Sequence, residues 1–170
     1  MTDKGRQLKI GLGLLLFFIV LLIIDALTKQ LAIRYLAEKE DMILIPGVLQ
    51  FHYLENTGAA FGILKGQRLV FYLLTFLISV IVIVILLRLP KEGKYLPFAV
   101  CCIILLAGAM GNLTDRIRLH YVVDFIYFSL IHFPVFNVAD IYVTCSVFVL
   151  LLLCIFYYDD RDIDIIFNKK

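Results

Sequence analysis

Two aspartates in the second half of the chain occupy positions where an ionisable side chain is costly. Asp124 interrupts the apolar stretch Val123-Asp124-Phe125, and Asp140 lies near the start of a long hydrophobic run. If their carboxyl groups lie close together, both cannot ionise readily, so the pair shares a proton. The ionised partner can take a proton from water while the protonated partner donates to a carbonyl oxygen, which is the chemistry of aspartic peptide hydrolysis.

The composition indicates an integral membrane protein, which we treat as a single membrane domain over residues 1–170. Hydrophobic residues make up 62% of the chain and the mean hydropathy is +0.97, far outside the range of soluble domains. The net charge is +2 and the basic residues are scattered, so we expect no nucleic-acid partner. The four cysteines have no metal or redox spacing, and we expect them to pack as small apolar residues.

Four apolar runs are each near the roughly 20 residues that cross a hydrocarbon core. We place the spans at about 10–29, 69–88, 95–115 and 138–158, with connections at 30–68 and 116–137. The first run alone could be a secretory signal peptide, but no small-residue cleavage site follows and three more runs do. Basic residues flank the first span and fill the loop between spans two and three, which favours cytoplasmic termini and extracytoplasmic long connections.

The two long connections are apolar rather than ordinary loops. Residues 42–56 surround the turn signal Pro46-Gly47 and predict two short strands. Residues 117–136 show little helical period, and we expect them to lie on the membrane surface or cap the bundle. We expect the tail from Asp159 onward to be a solvated cytoplasmic end. The predicted fold is therefore a mainly α, four-transmembrane-helix bundle with a small extracytoplasmic β platform and a surface-lying segment.

Polar residues on three of the spans reach the same predicted depth, the outer interface. At about 1.5 Å of rise per residue, span one brings two there, span three brings three, and span four begins with one. Residues three or four apart share a helix face, and small residues at 107–109 and 111 let span three approach its neighbours closely. The polar residues that converge are Asp25, Lys29, Asn112, Asp115, Arg116 and Asp140.

Most of these residues also have a structural explanation, and the alternatives stay open here. Asp25 with Lys29 is either a structural ion pair or part of a site. We expect Asp115 and Arg116 to form an ion pair or headgroup anchor, with substrate contact by Arg116 as the alternative. Asn112 can be an interhelical hydrogen-bonding residue. Asn137 can be a helix cap, and the helix dipole favours an acid at position 140. Only Asp124 has no such explanation.

The remaining motifs exclude several other chemistries. The three histidines lack paired spacing, so we predict no metal site, and no base is placed beside a serine or cysteine nucleophile. The glycines at 58 and 62 have the wrong spacing for a phosphate loop. We predict no cofactor. Instead we expect Gly58, Ala59, Ala60 and Gly62 to let the backbone approach a substrate closely.

Five motifs occur in an order that resembles one known family, the bacterial lipoprotein signal peptidases, also called signal peptidase II. Together they span most of the chain, with the family's size and four spans, while the two tails carry no motif. They are Asp25-Ala-Leu-Thr-Lys29, Glu55-Asn56-Thr57-Gly58-Ala59-Ala60-Phe61-Gly62, Gly111-Asn112-Leu113-Thr114-Asp115-Arg116, Val123-Asp124-Phe125 and Phe136-Asn137-Val138-Ala139-Asp140.

The resemblance implies a membrane aspartyl endopeptidase of the bacterial cytoplasmic membrane that cuts prolipoproteins before a diacylglyceryl-modified cysteine. It implies that Asp124 and Asp140 are the catalytic pair, and that the site needs no metal or cofactor. The expected partners are lipid-modified prolipoproteins, membrane lipid and globomycin-type peptide inhibitors, and we expect a monomer. The residues that the resemblance implies bind substrate or support the site are Asp25, Lys29, Asn56, Gly58, Asn112, Arg116 and Asn137.

Two other classes of protein can also carry intramembrane carboxylates. A proton-coupled carrier would place them near the bilayer midplane on broken helices, whereas these gather at one face. A structural scaffold would tolerate substitution at Asp124.

Overall fold

The computed structural model describes residues 3–58, 67–90 and 92–168, and in these ranges most residues are helical. The helices are α1 (Asp3–Leu36), α2 (Arg68–Arg88), α3 (Leu96–Arg118), α4 (Val138–Phe156) and α5 (Asp160–Asn168). The strands are β1 (Met42–Ile45), β2 (Leu49–Asn56) and β3 (Val122–Phe128). Short 3₁₀ turns at Gly93–Tyr95 and Ser129–Ile131 precede α3 and follow β3.

Within the described residues, four helices are long and apolar enough to cross a membrane, which confirms the predicted membrane bundle. They cover Gln7–Leu36, Leu69–Arg88, Gly93–Arg118 and Val138–Phe156. In the first, second and fourth of these helices, most large apolar side chains are exposed on the protein surface, as expected where lipid is the solvent, whereas the third is more buried.

Helix α3 is the centre of the bundle and packs against α1, α2 and α4. Its close approaches depend on two glycines. A Cβ atom at Gly108 would collide with the backbone oxygen of Ala139 on α4, and one at Gly111 would collide with the Asp25 carboxylate on α1. These contacts agree with the predicted role of small residues in this span.

The first helix is longer than the predicted span 10–29. It continues without a break to Leu36, because its last turns bury Ala32 and Leu36 against Val123 and Phe125 of β3. Lys29 therefore lies within α1 rather than at its end.

The sheet has three antiparallel strands in the order β1-β2-β3. β1 and β2 confirm the two predicted short strands, and they pair as an antiparallel hairpin. β3 falls in the connection 116–137, for which no strand was predicted. Val122 to Phe125 of β3 are all buried, so this strand shows no polar alternation. The register places Leu54 opposite Asp124 and Asn56 opposite Val122.

The prediction that the tail is a solvated end is wrong. Helix α5 packs on the end of the bundle where α3 begins, with Ile166 only 1% exposed. Its buried Asp162 accepts a hydrogen bond from the hydroxyl of Tyr95 at 2.8 Å and forms an ion pair with Lys94. The tail carries four acidic residues among its apolar ones, and this composition is typical of a solvated segment. The sequence of the tail therefore did not indicate these contacts.

Candidate active site

The two predicted catalytic aspartates line the same cavity, of about 480 Å³. Asp124 comes from the middle of β3 and Asp140 from the first turn of α4. Four more predicted site residues line this cavity: Asn56, Gly58, Asn112 and Arg116.

Asp124 is held by two asparagines and is 1% exposed. Nδ2 of Asn56 donates to its Oδ2 and Nδ2 of Asn137 donates to its Oδ1, both at 2.7 Å. Burial, reinforced by the charge of Asp140, raises the pKa of Asp124 to about 7, although both amide donors oppose the shift. Asp124 can therefore hold a proton near neutral pH.

Asp140 is part of a capping box at the start of α4. Its backbone N–H donates to Oδ1 of Asn137 at 3.0 Å, and its Oδ2 accepts from the Asn137 backbone N–H at 3.1 Å. Its Oδ1 accepts from Nδ2 of Asn112 at 2.7 Å. The predicted cap at Asn137 is thus present, and the same side chain also binds Asp124.

The orientation of each asparagine amide is fixed by a partner that can only donate. Oδ1 of Asn56 accepts from the Gly58 N–H at 2.9 Å, and Oδ1 of Asn112 accepts from Nζ of Lys29 at 3.0 Å. Oδ1 of Asn137 accepts from the Asp140 N–H, as described above. Each NH₂ group must therefore point to a carboxylate.

Lys29 lies behind Asn112, where its Nζ contacts Asp25 at 2.9 Å and Asp115 at 3.0 Å. The Lys29 and Asp25 side chains are each 3% exposed. The predicted ion pair between them is present, and Asp25 also accepts from the backbone N–H of Ala139 at 3.1 Å. The ion pair therefore connects α1 to the first turn of α4, which carries Asp140.

Arg116 faces the cavity, but it does not pair with Asp115 as predicted. Asp115 points the other way, toward Lys29 and the backbone N–H of Val123. The Arg116 guanidinium stacks over the Phe71 ring at 4.4 Å and donates to the Gly58 carbonyl at 3.3 Å. Successive residues of a helix face different directions, which separates the two side chains.

Several lining residues were not among the predicted site residues. Ile141, Thr144 and Cys145 follow Asp140 along α4, and residues 133–136 form another wall. Thr144 could have been predicted from the sequence, because it lies four residues beyond Asp140 and therefore on the same helix face. Ala59, Ala60 and Gly62 lie outside the described residues.

Comparison with known proteins identifies the chain. The family model for signal peptidase (SPase) II matches residues 17–156. The chain belongs to the signal peptidase II family. This confirms the resemblance and shows that the protein is a peptidase. Helix α5 lies beyond the residues that the signal peptidase II model matches.

Individual relatives agree with this assignment to signal peptidase II. The lipoprotein signal peptidase of Clostridium tetani is 41% identical over 153 residues, covering 84% of this chain and 93% of the relative. That of Enterococcus faecalis is 38% identical over 135 residues, covering 79% and 80%. A bacterial membrane enzyme structure determined in meso at 1.9 Å resolution superposes with a TM-score of 0.72 and 28% identity, covering 86% and 94%.

Proposed function

We propose that this protein is an aspartic endopeptidase that removes signal peptides from diacylglyceryl-modified prolipoproteins, cutting before the lipidated cysteine. Family membership supports the substrate class. The observation that carries the aspartic mechanism is one cavity lined by Asp124 and Asp140, with the pKa of Asp124 raised to about 7. A shared proton between two carboxyl groups is what the reaction requires.

In the proposed reaction, a water molecule lies between the two carboxyl groups and attacks the scissile carbonyl carbon. Asp140 takes a proton from the water, while Asp124 donates its proton to the carbonyl oxygen. The tetrahedral species then collapses as the C–N bond breaks. The leaving nitrogen takes a proton from Asp140, and the hydroxyl formed from the carbonyl oxygen returns its proton to Asp124, which restores the starting pair. Neither a metal nor a covalent enzyme intermediate enters these steps.

The surrounding residues divide into two roles in this proposal. Asn56, Asn112 and Asn137 hold the carboxyl groups, because each donates an N–H to one of them. Arg116 and Gly58 bind the substrate backbone, since both line the cavity and are hydrogen-bonded to each other.

The position of the cavity along the helices supports cleavage near one membrane surface. Asn112 and Arg116 lie in the last turns of α3, and Asp140 lies in the first turn of α4. With cytoplasmic termini, this end is at the outer leaflet, where a diacylglyceryl cysteine keeps its acyl chains. Thr144 and Cys145 lie about one turn deeper than Asp140, so the cavity continues toward the lipid. Globomycin-type peptides would occupy this cavity, and the protein would act as a monomer.

The test is cleavage of a diacylglyceryl-modified prolipoprotein by purified Asp124→Asn and Asp140→Asn variants, with the unlipidated substrate in parallel. We expect both variants to lose activity by at least about a thousandfold, while unfolding temperatures in detergent show that they remain folded. Asp160→Asn removes an exposed acid at the far end of the molecule and should keep full activity. Substantial turnover by either dyad variant would refute the aspartic mechanism, and equal cleavage without lipid would refute the proposed substrate class.

A further inference from the structure

A second cavity of about 240 Å³, which we call the rear cavity, contains a cluster of charged side chains. Lys29 of this cavity contacts Asn112, which lines the active-site cavity. Asp25, Lys29 and Asp115 line the rear cavity. The Lys29 ammonium reaches forward to Oδ1 of Asn112, whose Nδ2 contacts Asp140. Only the Asn112 side chain therefore separates the ion pairs of Lys29 from the proposed catalytic carboxyl group of Asp140.

Asp115 connects three elements through one carboxylate. It projects from α3, and its Oδ2 accepts from Nζ of Lys29 on α1 at 3.0 Å. The same oxygen accepts from the backbone N–H of Val123 on β3 at 3.3 Å. Val123 immediately precedes Asp124, so the carboxylate is attached to both the buried cation and the strand of the proposed acid.

We propose that Asp115 is a positioning residue for the carboxyl pair, acting on Asp140 through Lys29 and Asn112 and on Asp124 through the Val123 amide. This inference rests on the proposed aspartic mechanism. Asp115 touches neither the active-site cavity nor the reacting atoms, since its carboxylate faces the rear cavity. Its negative charge partly balances the Lys29 ammonium, which is buried and would otherwise favour ionisation of both catalytic carboxyl groups.

The arrangement predicts pH shifts of opposite sign for two substitutions. Removing the Asp115 charge leaves Lys29 less balanced, so both limbs of a bell-shaped pH–rate profile move to lower pH. Removing the Lys29 charge moves both limbs to higher pH, by on the order of one pH unit, because only the Asn112 side chain separates the ammonium from Asp140. The other charged groups that line the two cavities, among the described residues, come from α1 and α3. Arg116 lines the active-site cavity, and Asp25, Lys29, Asp115 and Arg118 line the rear cavity.

The experiment measures kcat and KM against pH for purified Asp115→Asn, Asp115→Glu and Lys29→Met with the lipidated substrate. We expect Asp115→Asn to lower kcat at least about tenfold with KM nearly unchanged, because substrate contacts remain. Asp115→Glu restores the charge and should return the profile to its wild-type position. Asp41→Asn removes an exposed acid at the same end of the molecule and should leave kcat, KM and the profile unchanged.

A purely structural role for Asp115 would lower the unfolding temperature without moving the pH profile, and that result would overturn the inference. Shifts of the same sign in Asp115→Asn and Lys29→Met would overturn it as well. If Lys29→Met does not fold, the pH profiles of Asp115→Asn and Asp115→Glu test the inference alone. Identical profiles in these two variants would overturn it. Loss of activity in Asp140→Asn with an unmoved profile in Asp115→Asn would reject only this inference. Activity in Asp140→Asn would reject the proposed function itself.

Discussion

Asn137 is the residue whose replacement should separate stability from catalysis most clearly. It is fully buried between the two carboxyl groups. Its side chain caps α4 by accepting from the Asp140 N–H, and it donates to Asp124 at 2.7 Å and to Asn112 at 3.1 Å. One side chain therefore serves both the helix and the site.

Asn137→Ala should lower the free energy of unfolding by roughly 3 kcal/mol. Loss of a helix cap costs about 1 kcal/mol. Loss of a buried hydrogen bond to a charged or partly charged group costs about 1.5–3 kcal/mol, because Asp124 is then left with one donor. The weaker contact with Asn112 adds little beyond these two contributions.

Two further variants divide this loss between the two roles. Asn137→Ser keeps a capping oxygen but has no NH₂ group that can reach Asp124, so it should recover about 1 kcal/mol of stability while activity stays low. Asn137→Asp keeps the capping oxygen and the shape, but it places a carboxylate where the donor to Asp124 was. Because the unfolded chain ionises this aspartate near about pH 4, we expect the stability of this variant to fall more steeply than that of the serine variant as pH rises above about 4.

Thermal unfolding in detergent and steady-state cleavage of the lipidated substrate measure the two roles on the same preparations. If Asn137→Ser recovered activity in proportion to stability, the hydrogen bond to Asp124 would have no catalytic importance. If alanine and serine were equally stable, the capping contribution would be refuted.

Two predictions concern pH. The pKa of Asp124 is raised from 3.8 to about 7, so between about pH 4 and 7 the folded protein holds a proton that the unfolded chain has lost. Stability should therefore fall as pH rises through this interval, by a few kcal/mol at most, and unfolding temperatures of Asp124→Asn should show a flatter profile. The pKa of Asp162 is lowered to about 2, chiefly by Lys94, so its contribution should be present above about pH 4 and lost as pH falls toward 2. Asp162→Asn should expose α5 to proteases at neutral pH, Asp160→Asn should not, and neither should change the cleavage rate; a protected α5 in Asp162→Asn would contradict its docking.

The membrane bundle and the carboxyl pair were predictable from local sequence. Each span is a run of apolar residues long enough to cross the hydrocarbon core, and this signal needs no tertiary contact. Asp124 could be predicted as a site residue because it interrupts an apolar stretch and no neighbouring residue in the sequence explains its charge. Helical spacing alone also placed Asp25 beside Lys29 and Asn137 at the cap of α4.

Other features depended on contacts between distant parts of the chain. The first four residues of β3 are buried on both faces, by α1 on one side and around the cavity on the other, so they lack the alternation of a half-exposed strand. The docking of α5 depends on Tyr95 and Lys94, more than sixty positions away. Neither partner could be identified from the tail alone.

The sequence by itself determined which residues are polar, how deep in the bundle they lie and which share a helix face. Only the tertiary structure decided their partners. Asp115 is adjacent in sequence to Arg116, yet it pairs with Lys29 on another helix, and Asn112 turns one end of its amide to that lysine and the other to Asp140. The physical reason is that depth follows from the rise per residue along one helix, whereas pairing depends on how three helices and a strand are rotated against one another.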